Sequence, residues 1–367
     1  MQFAGRFLIK TVAPAPVGMG AAAAPEFPLF TTALALGAAG PTASADWVVA
    51  PLKTAAGITQ NGWDMAHALL ASKQDVAGVP IQIIEPDFRS AFPFSRTDVA
   101  QVGIAAAAAG GDSCKQDQPN PDWPTGGFAW HLGANFSQLL DARLAAGQPA
   151  GMKIRVVHLD TGYSPGHQAL PQYLRADLAR NFVEPDNPFS AVDPGTSGLM
   201  KNPGHGTGTM SILAGNRFAQ GGFNDFLGGA PNAEIIPVRI GDSVVHFYSS
   251  SMAQGLDYAL AVGAQVVSVS MGGVPSKAWA EAVNRAYEAG IAIFAAAGNN
   301  MGGFPTTSTV YPARFNRVTA VCGAAGDRTP YYKGLLYPGM QGNFGPSAKM
   351  KTALASFTPN IPWAEWG

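Results

Sequence analysis

Five short apolar runs lie along residues 154–321, two helical patterns fall between successive runs, and this alternation restricts the fold more than any other feature of the chain. The runs are Ile154-Arg-Val-Val-His-Leu159, Glu234-Ile-Ile-Pro-Val-Arg239, Gln265-Val-Val-Ser-Val-Ser270, Ile291-Ala-Ile-Phe-Ala295 and Arg317-Val-Thr-Ala-Val321. Apolar stretches without strict alternation suit strands buried on both faces. Between the third and fourth runs, Trp279, Val283, Ala286 and Tyr287 recur at helical spacing, with Ser276 placed as N-cap and Gly290 as a C′ stop. Ser249 to Val262 repeats this design between the second and third runs. Crossovers of that length give parallel pairing with right-handed connections, so the expected fold is α/β, a three-layer sandwich around a mainly parallel sheet. In such open sheets, sites form beyond the carboxyl ends of the strands.

Composition narrows the function classes. A chain of 367 residues suggests about two domains. With 47% hydrophobic residues and a formal net charge of -1 it is not a disordered chain. Charged residues make up 13%, half the usual share of about 25%. That is too little basic charge to attract phosphate backbones, which argues against nucleic acid as a partner. Cys114 and Cys322 lie far apart and form neither a C-x-x-C pair nor a metal-ligand cluster. The uncharged stretches Phe27 to Ala45, Tyr258 to Ser276 and Ala289 to Ala313 are each broken by Gly, Pro or Asn, so none reads as transmembrane and no membrane association is expected. Phe27 to Ala45 imitates a signal-peptide core ending in Ala43-Ser44-Ala45, but it starts late and no compact apolar run follows Met1. The compartment stays open.

The first 90 or so residues read as a small α+β module. Arg6 to Val12, Asp46 to Leu52 and Val79 to Glu85 look like strands, and Asn61 followed by Asp64 marks a helix start for Met65 to Ser72. Ala105 to Gly127, rich in Gly and Pro, is the best linker candidate. Gly18-Met-Gly20-Ala-Ala-Ala23 loosely matches a dinucleotide fingerprint, yet no βαβ unit or well-placed acidic residue follows, so an Ala/Gly-rich loop fits it better.

Two short motifs carry the chemistry. Asp160, in Leu159-Asp-Thr-Gly162, closes the first α/β strand, where such an enzyme would place a catalytic acid; an Asx-turn or a helix cap fits the residue as well. Asp-Thr-Gly is also the aspartic-protease signature, but that chemistry needs two such carboxylates and no second copy occurs here, so it would need a homodimer. Forty-five residues later Gly204-His-Gly-Thr-Gly-Thr209 leads into a helix-like segment and sets His205 at its N-terminus.

Asp160 followed by His205 in this context resembles the subtilisin-like serine peptidases, or subtilases, in their Asp, His, Ser chain order. Three further stretches extend the likeness: Gly228-Gly-Ala-Pro231 with its strand, Ser268-Val-Ser-Met-Gly-Gly273, and Ala295-Ala-Ala-Gly-Asn299 followed by Tyr311-Pro-Ala313. These five motifs keep the family's order over roughly residues 150 to 325. The resemblance implies catalytic roles for Asp160, His205 and Asn299. His205 would be general base, Asp160 would hold its tautomer, and the Asn299 amide would donate to the oxyanion. It also implies that Ser270, Met271, Gly272 and Gly273 pair with an extended peptide, and that Ala296, Ala297 and Gly298 line the primary specificity pocket. A peptide or protein substrate follows. No cofactor is expected; the likeness leaves calcium open, and no dense Asp/Glu loop marks a site.

The pattern breaks at the nucleophile. The family's serine sits in Gly-Thr-Ser-x-Ala-x-Pro, and no such motif occurs. Ser356, in Ala355-Ser-Phe-Thr-Pro359, is the nearest imitation, but it lacks the preceding Gly, and Pro359 and Pro362 forbid the helix that must follow. Ser308 and Ser347 are the other serines after Asn299. The expectation is a chain that ends short of its nucleophile, with a non-catalytic peptide-binding protein as the alternative. The resemblance also reads residues 1–90 as a propeptide-like module whose C-terminal strand, near Ile81-Gln-Ile-Ile-Glu-Pro-Asp87, would enter the cleft. Residues 91–127 are then the linker, and 128–367 the peptidase domain, incomplete at its C-terminus.

Overall fold

The structure is a computed structural model that describes residues 2–12, 34–35, 47–52, 61–72, 75–76, 79–89, 128–147, 153–195, 202–220, 223–244, 247–300, 307–332, 334, 340–358 and 361–364. Its elements begin with β1 (Gln2–Thr11), β2 (Leu34–Ala35), β3 (Trp47–Pro51), α1 (Gly62–Ala71), β4 (Asp75–Val76), β5 (Val79–Arg89), α2 (Leu139–Ala146), β6 (Arg155–Asp160) and β7 (Arg180–Asn181). There follow α3 (His205–Ala214), β8 (Arg217–Gln220), β9 (Phe223–Phe226), β10 (Glu234–Arg239), α4 (Ser249–Ala261), β11 (Val266–Val269), α5 (Lys277–Glu288), β12 (Ala292–Ala296) and β13 (Asn299–Asn300). The last are β14 (Thr319–Ala324), β15 (Gln341–Gly342), α6 (Ser347–Met350) and β16 (Leu354–Phe357). The Gly18 to Ala23 motif and the 91–127 linker lie outside the described residues, as does Phe27 to Ala45 apart from β2. Among the described residues no helix is long and apolar enough to cross a membrane.

The residues fall into two compact units, and the division departs from the sequence-based one. The first joins Met1–Phe92 to Val245–Ala264 and Gly273–Ile291, so α4 and α5 cluster with the N-terminal module; the second holds Pro93–Val244, Gln265–Gly272 and Ala292–Gly367.

The first unit is built on an antiparallel sheet in the order β2-β3-β1-β5-β4. Alternation along β1 and β3 sends Phe7, Ile9, Val48 and Ala50 to one face, where they pack with Ala66 and Leu69 of α1. Leu8, Trp47 and Val49 go to the other face and pack with Ala278 of α5. Both faces are therefore buried at the middle of β1, which is why Phe7, Leu8 and Ile9 follow one another there. Asn61 caps α1 by accepting from the Trp63 N–H, and Ser276 caps α5 by accepting from the Trp279 N–H, as their positions predicted. Arg285 of α5 makes a two-pronged ion pair with Asp257 of α4, at 2.8 and 2.9 Å.

Two carboxylates of β5 add to these caps. Glu85 accepts the backbone N–H groups of Lys277 and Ala278 at 2.9 and 3.0 Å, at the start of α5. Asp87 accepts from the N–H and hydroxyl of Ser250, at 3.1 and 2.8 Å in the first turn of α4, and pairs with Arg6. An anion at a helix N-terminus satisfies orphan donors and meets the positive end of the helix dipole. Burial raises the Glu85 carboxyl above its ordinary range, and the two N–H groups partly offset that. β5 runs to Arg89, four residues beyond its expected end, because pairing with β1 continues past Glu85 to Arg89.

The second unit carries the expected mainly parallel sheet. Its order is β16-β14-β12-β11-β6-β10-β7, and every pairing along it is parallel. The chain passes through α4 between β10 and β11 and through α5 between β11 and β12, the strand-helix-strand order read from the sequence. All five apolar runs became strands of this sheet, the first four within one residue of their expected bounds and the fifth within three. The class is α/β. Because β12, β11 and β6 are parallel neighbours, their carboxyl ends open on the same edge.

Candidate active site

Asp160 is the last residue of β6 and His205 the first of α3, and the sequence brings them together through two glycines. A Cβ on Gly206 would lie 2.0 Å from the Gly162 carbonyl oxygen, so only glycine lets the first turn of α3 rest on the turn after Asp160. Gly162 itself sits at φ +106, with room for no side chain beside the Ala191 carbonyl. The approach is locked by hydrogen bonds: Gly206 N–H donates to Thr161 Oγ1 at 3.1 Å, and Ser164 N–H to Thr207 Oγ1 at 2.9 Å. Asp193 holds the loop ahead of the helix, accepting from the N–H groups of Gly195 and Gly204, each at 2.8 Å.

In this setting His205 Nδ1 lies 2.7 Å from Asp160 Oδ1. The carboxylate is completely buried, and the imidazole side chain is 20% exposed, so one nitrogen is tied and the ring keeps an open side. Oδ1 also accepts from the Thr161 N–H at 2.7 Å, while Oδ2 accepts from the Thr209 hydroxyl at 3.0 Å. Burial alone would raise the Asp160 carboxyl; the charge and hydrogen bond of His205 and, with smaller effect, the nearby His158 ring and the Thr161 N–H outweigh it and hold the group down at about 2. Asp160 is therefore an anion at neutral pH, and an anion at Nδ1 leaves Nε2 as the free basic nitrogen.

The other predicted residues stand at the same carboxyl edge. Ser270, Met271 and Gly272 continue from β11, and the Gly272 N–H donates to the Val244 carbonyl at 3.3 Å. Gly273 follows on the same loop. Ala296 ends β12; Ala297 N–H donates to the Val321 carbonyl at 2.9 Å, and Gly298 accepts from Asn343 N–H at 2.8 Å. Asn299 is exposed and starts β13, which pairs with β15, and its side-chain amide reaches Met340 Sδ at 3.5 Å.

Among the described residues Asp160 is the sole side-chain hydrogen-bond partner of the His205 ring. Ser356 lies in β16, in register with Gly323 of β14, and so on an edge strand rather than at a helix start. Ser347 begins the single-turn α6. No group of three or more His, Cys, Asp or Glu side chains that could hold a metal occurs among the described residues.

Sequence reasoning passed over several residues around the pair. Arg239, in register with Asp160 across β10 and β6, is buried and bonds Glu184 at 2.6 Å and the Thr161 carbonyl, bracing the turn. Trp363 stands edge-on to His205 with centroids 5.6 Å apart, and the next N–H, of Ala364, donates to Ser211 of α3 at 3.3 Å. His158 and Thr209 lie behind Asp160. A polar residue inside the buried run Val156-Val-His-Leu159 was the available signal for His158.

At the carboxyl edge of a parallel α/β sheet, then, a buried carboxylate orients an imidazole, an arrangement that can activate a hydroxyl nucleophile. Residues 151–362 match the Subtilase family. Curated relatives include the minor extracellular protease Epr of Bacillus subtilis (strain 168), 33% identical over 172 residues that cover 47% of this chain and 23% of that protein. Subtilisin DY of Bacillus licheniformis is 30% identical over 172 residues, 47% and 56% of the two chains. Thermitase of Thermoactinomyces vulgaris is 33% identical over 173 residues, 47% and 54% of the two. The chain belongs to the subtilase family of serine peptidases. It spans between about a quarter and a little over half of the length of these relatives.

Proposed function

We propose that these residues form the catalytic scaffold of a subtilisin-type endopeptidase that cleaves peptide bonds by acyl transfer. The observation that carries the reading is the 2.7 Å contact between the buried Asp160 carboxylate and His205 Nδ1 at the carboxyl edge of the sheet. In this reading His205 Nε2 takes the proton of a serine hydroxyl as it attacks the scissile carbonyl, then returns it to the leaving amine. Asp160 holds the tautomer and stabilises the imidazolium. The Asn299 amide donates to the developing oxyanion, a role worth on the order of 3 kcal/mol in subtilisin. Ser270 to Gly273 pair with the substrate backbone as an added strand, and Ala296 to Gly298 border the pocket for the residue before the cut bond.

The nucleophile in this reading is a serine outside residues 1–367, since the sequence holds no Gly-Thr-Ser elbow. That same absence favours a second reading, a protein that holds peptides without cutting them. The reading frame after Gly367 separates the two: an elbow motif there supports the peptidase, and a stop codon supports the binder.

The N-terminal module acts, in this account, as an intramolecular chaperone and inhibitor. Support comes from Glu85 and Asp87, which cap α5 and α4 from the module's last strand. Expressing residues 128–367 with and without residues 1–90 supplied as a separate chain tests this: refolding yield should rise when the module is present, and equal yields would refute it.

A further inference from the structure

Behind the Asp160–His205 pair lies a second imidazole that the roles above leave unused. His158 precedes Asp160 by two residues on β6, so the strand's alternation sends both side chains to one face. It is 1% exposed, in register with Pro237 of β10 and Ser268 of β11. Its Nε2 lies 2.9 Å from Thr209 Oγ1, one turn along α3 from His205. Thr209 Oγ1 in turn lies 3.0 Å from Asp160 Oδ2.

The direction of this chain of bonds follows from counting protons. A threonine hydroxyl has one to give. Four acceptors stand within reach of it: Asp160 Oδ2 at 3.0 Å, His158 Nε2 at 2.9 Å, and the carbonyls of His205 and Gly206, each at 3.2 Å. Only the carboxylate is ionised, and a charge-assisted bond is the strongest of the set. The hydroxyl therefore donates to Asp160, its oxygen is left to accept, and the remaining donor is an Nε2–H on His158. Burial pushes the His158 imidazole down, outweighing the upward pull of Asp160, with His205 adding to the fall; the ring is neutral and carries a single proton. A merely space-filling histidine would need no particular tautomer.

We propose that His158 and Thr209 are positioning residues for the reaction. They form a relay, His158 Nε2–H to Thr209 Oγ1–H to Asp160 Oδ2, that fixes the carboxylate so that Oδ1 alone faces His205. The inference rests on the reading of Asp160 and His205 as the catalytic pair. Without the relay, Oδ2 would be a buried, ionised acceptor lacking its side-chain donor, and the Thr161 N–H on Oδ1 would be the one remaining bond besides His205 that sets the carboxylate's terminal torsion.

Ring-nitrogen NMR of the chain labelled with ¹⁵N-histidine tests it. His158 is expected as the neutral Nε2–H tautomer and His205 with a strongly downfield Nδ1 proton. In T209V and H158F that His205 signal should move upfield and broaden, while T209S and H158Q, which keep a hydroxyl and an Nε2–H donor, should restore it. The proposal is overturned if His158 carries its proton on Nδ1, or if the His205 signal is unchanged in folded T209V and H158F. Should either of those variants fail to fold, the His158 tautomer in the unmodified chain and in T209S still decides. A wild-type His205 with no downfield Nδ1 proton would instead defeat the catalytic-pair reading, whatever tautomer His158 shows.

Discussion

Asp160 links stability to acid. Its carboxyl sits at about 2 in the folded protein against an ordinary 3.8, so the stabilisation is fully present above pH 4 and is lost as pH falls through 2. The size is roughly 2 kcal/mol. Urea unfolding at stepped pH should show that loss in the parent chain, and a flatter acid limb in Asp160→Asn; parallel limbs would contradict the shift. Gly206→Ala is the second residue-scale test. Its Cβ would overlap the Gly162 carbonyl, and because backbone meets backbone nothing flexible can yield. A cost at or above the usual 1–3 kcal/mol of overpacking is expected, measured as a lower urea midpoint. Both glycines were legible as turn residues in the Asp-Thr-Gly and His-Gly-Thr-Gly motifs. His158 offered no more than its polarity within a buried run, and Thr209 and Arg239 were not legible, because their importance depends on contacts between elements distant in sequence.

At the scale of elements, the N-terminus of α5 has two separable caps. Ser276→Ala removes the side-chain bond to the Trp279 N–H and should cost about 1 kcal/mol. Glu85→Ala strips the Lys277 and Ala278 N–H groups of their acceptor and should cost about 1–3 kcal/mol. Amide hydrogen exchange resolves them: Lys277 and Ala278 should lose protection in Glu85→Ala, and Trp279 in Ser276→Ala. The local cap at Ser276 was readable because it lies next to its helix, whereas Glu85 reaches across nearly two hundred residues. The five buried strands were readable from continuous apolar runs. The short edge strands β7 and β16 were not, since Arg180-Asn181 is a polar pair and Leu354–Phe357 is mostly exposed.

At the scale of the whole molecule, the grouping of α4 and α5 with the N-terminal sheet was hidden from the sequence, where those helices sit between strands of the parallel sheet. The central claim is that Asp160 and His205 activate a serine supplied from outside these residues. The most direct measurement is peptide hydrolysis, with serine-directed phosphonate labelling mapped by mass spectrometry, on the gene product containing residues 1–367 and everything its reading frame encodes. The account predicts activity that falls about ten-thousand-fold or more in His205→Ala and in Asp160→Asn, with the label on a serine beyond Gly367. Activity untouched by either substitution, or stoichiometric label on Ser347 or Ser356, would contradict it.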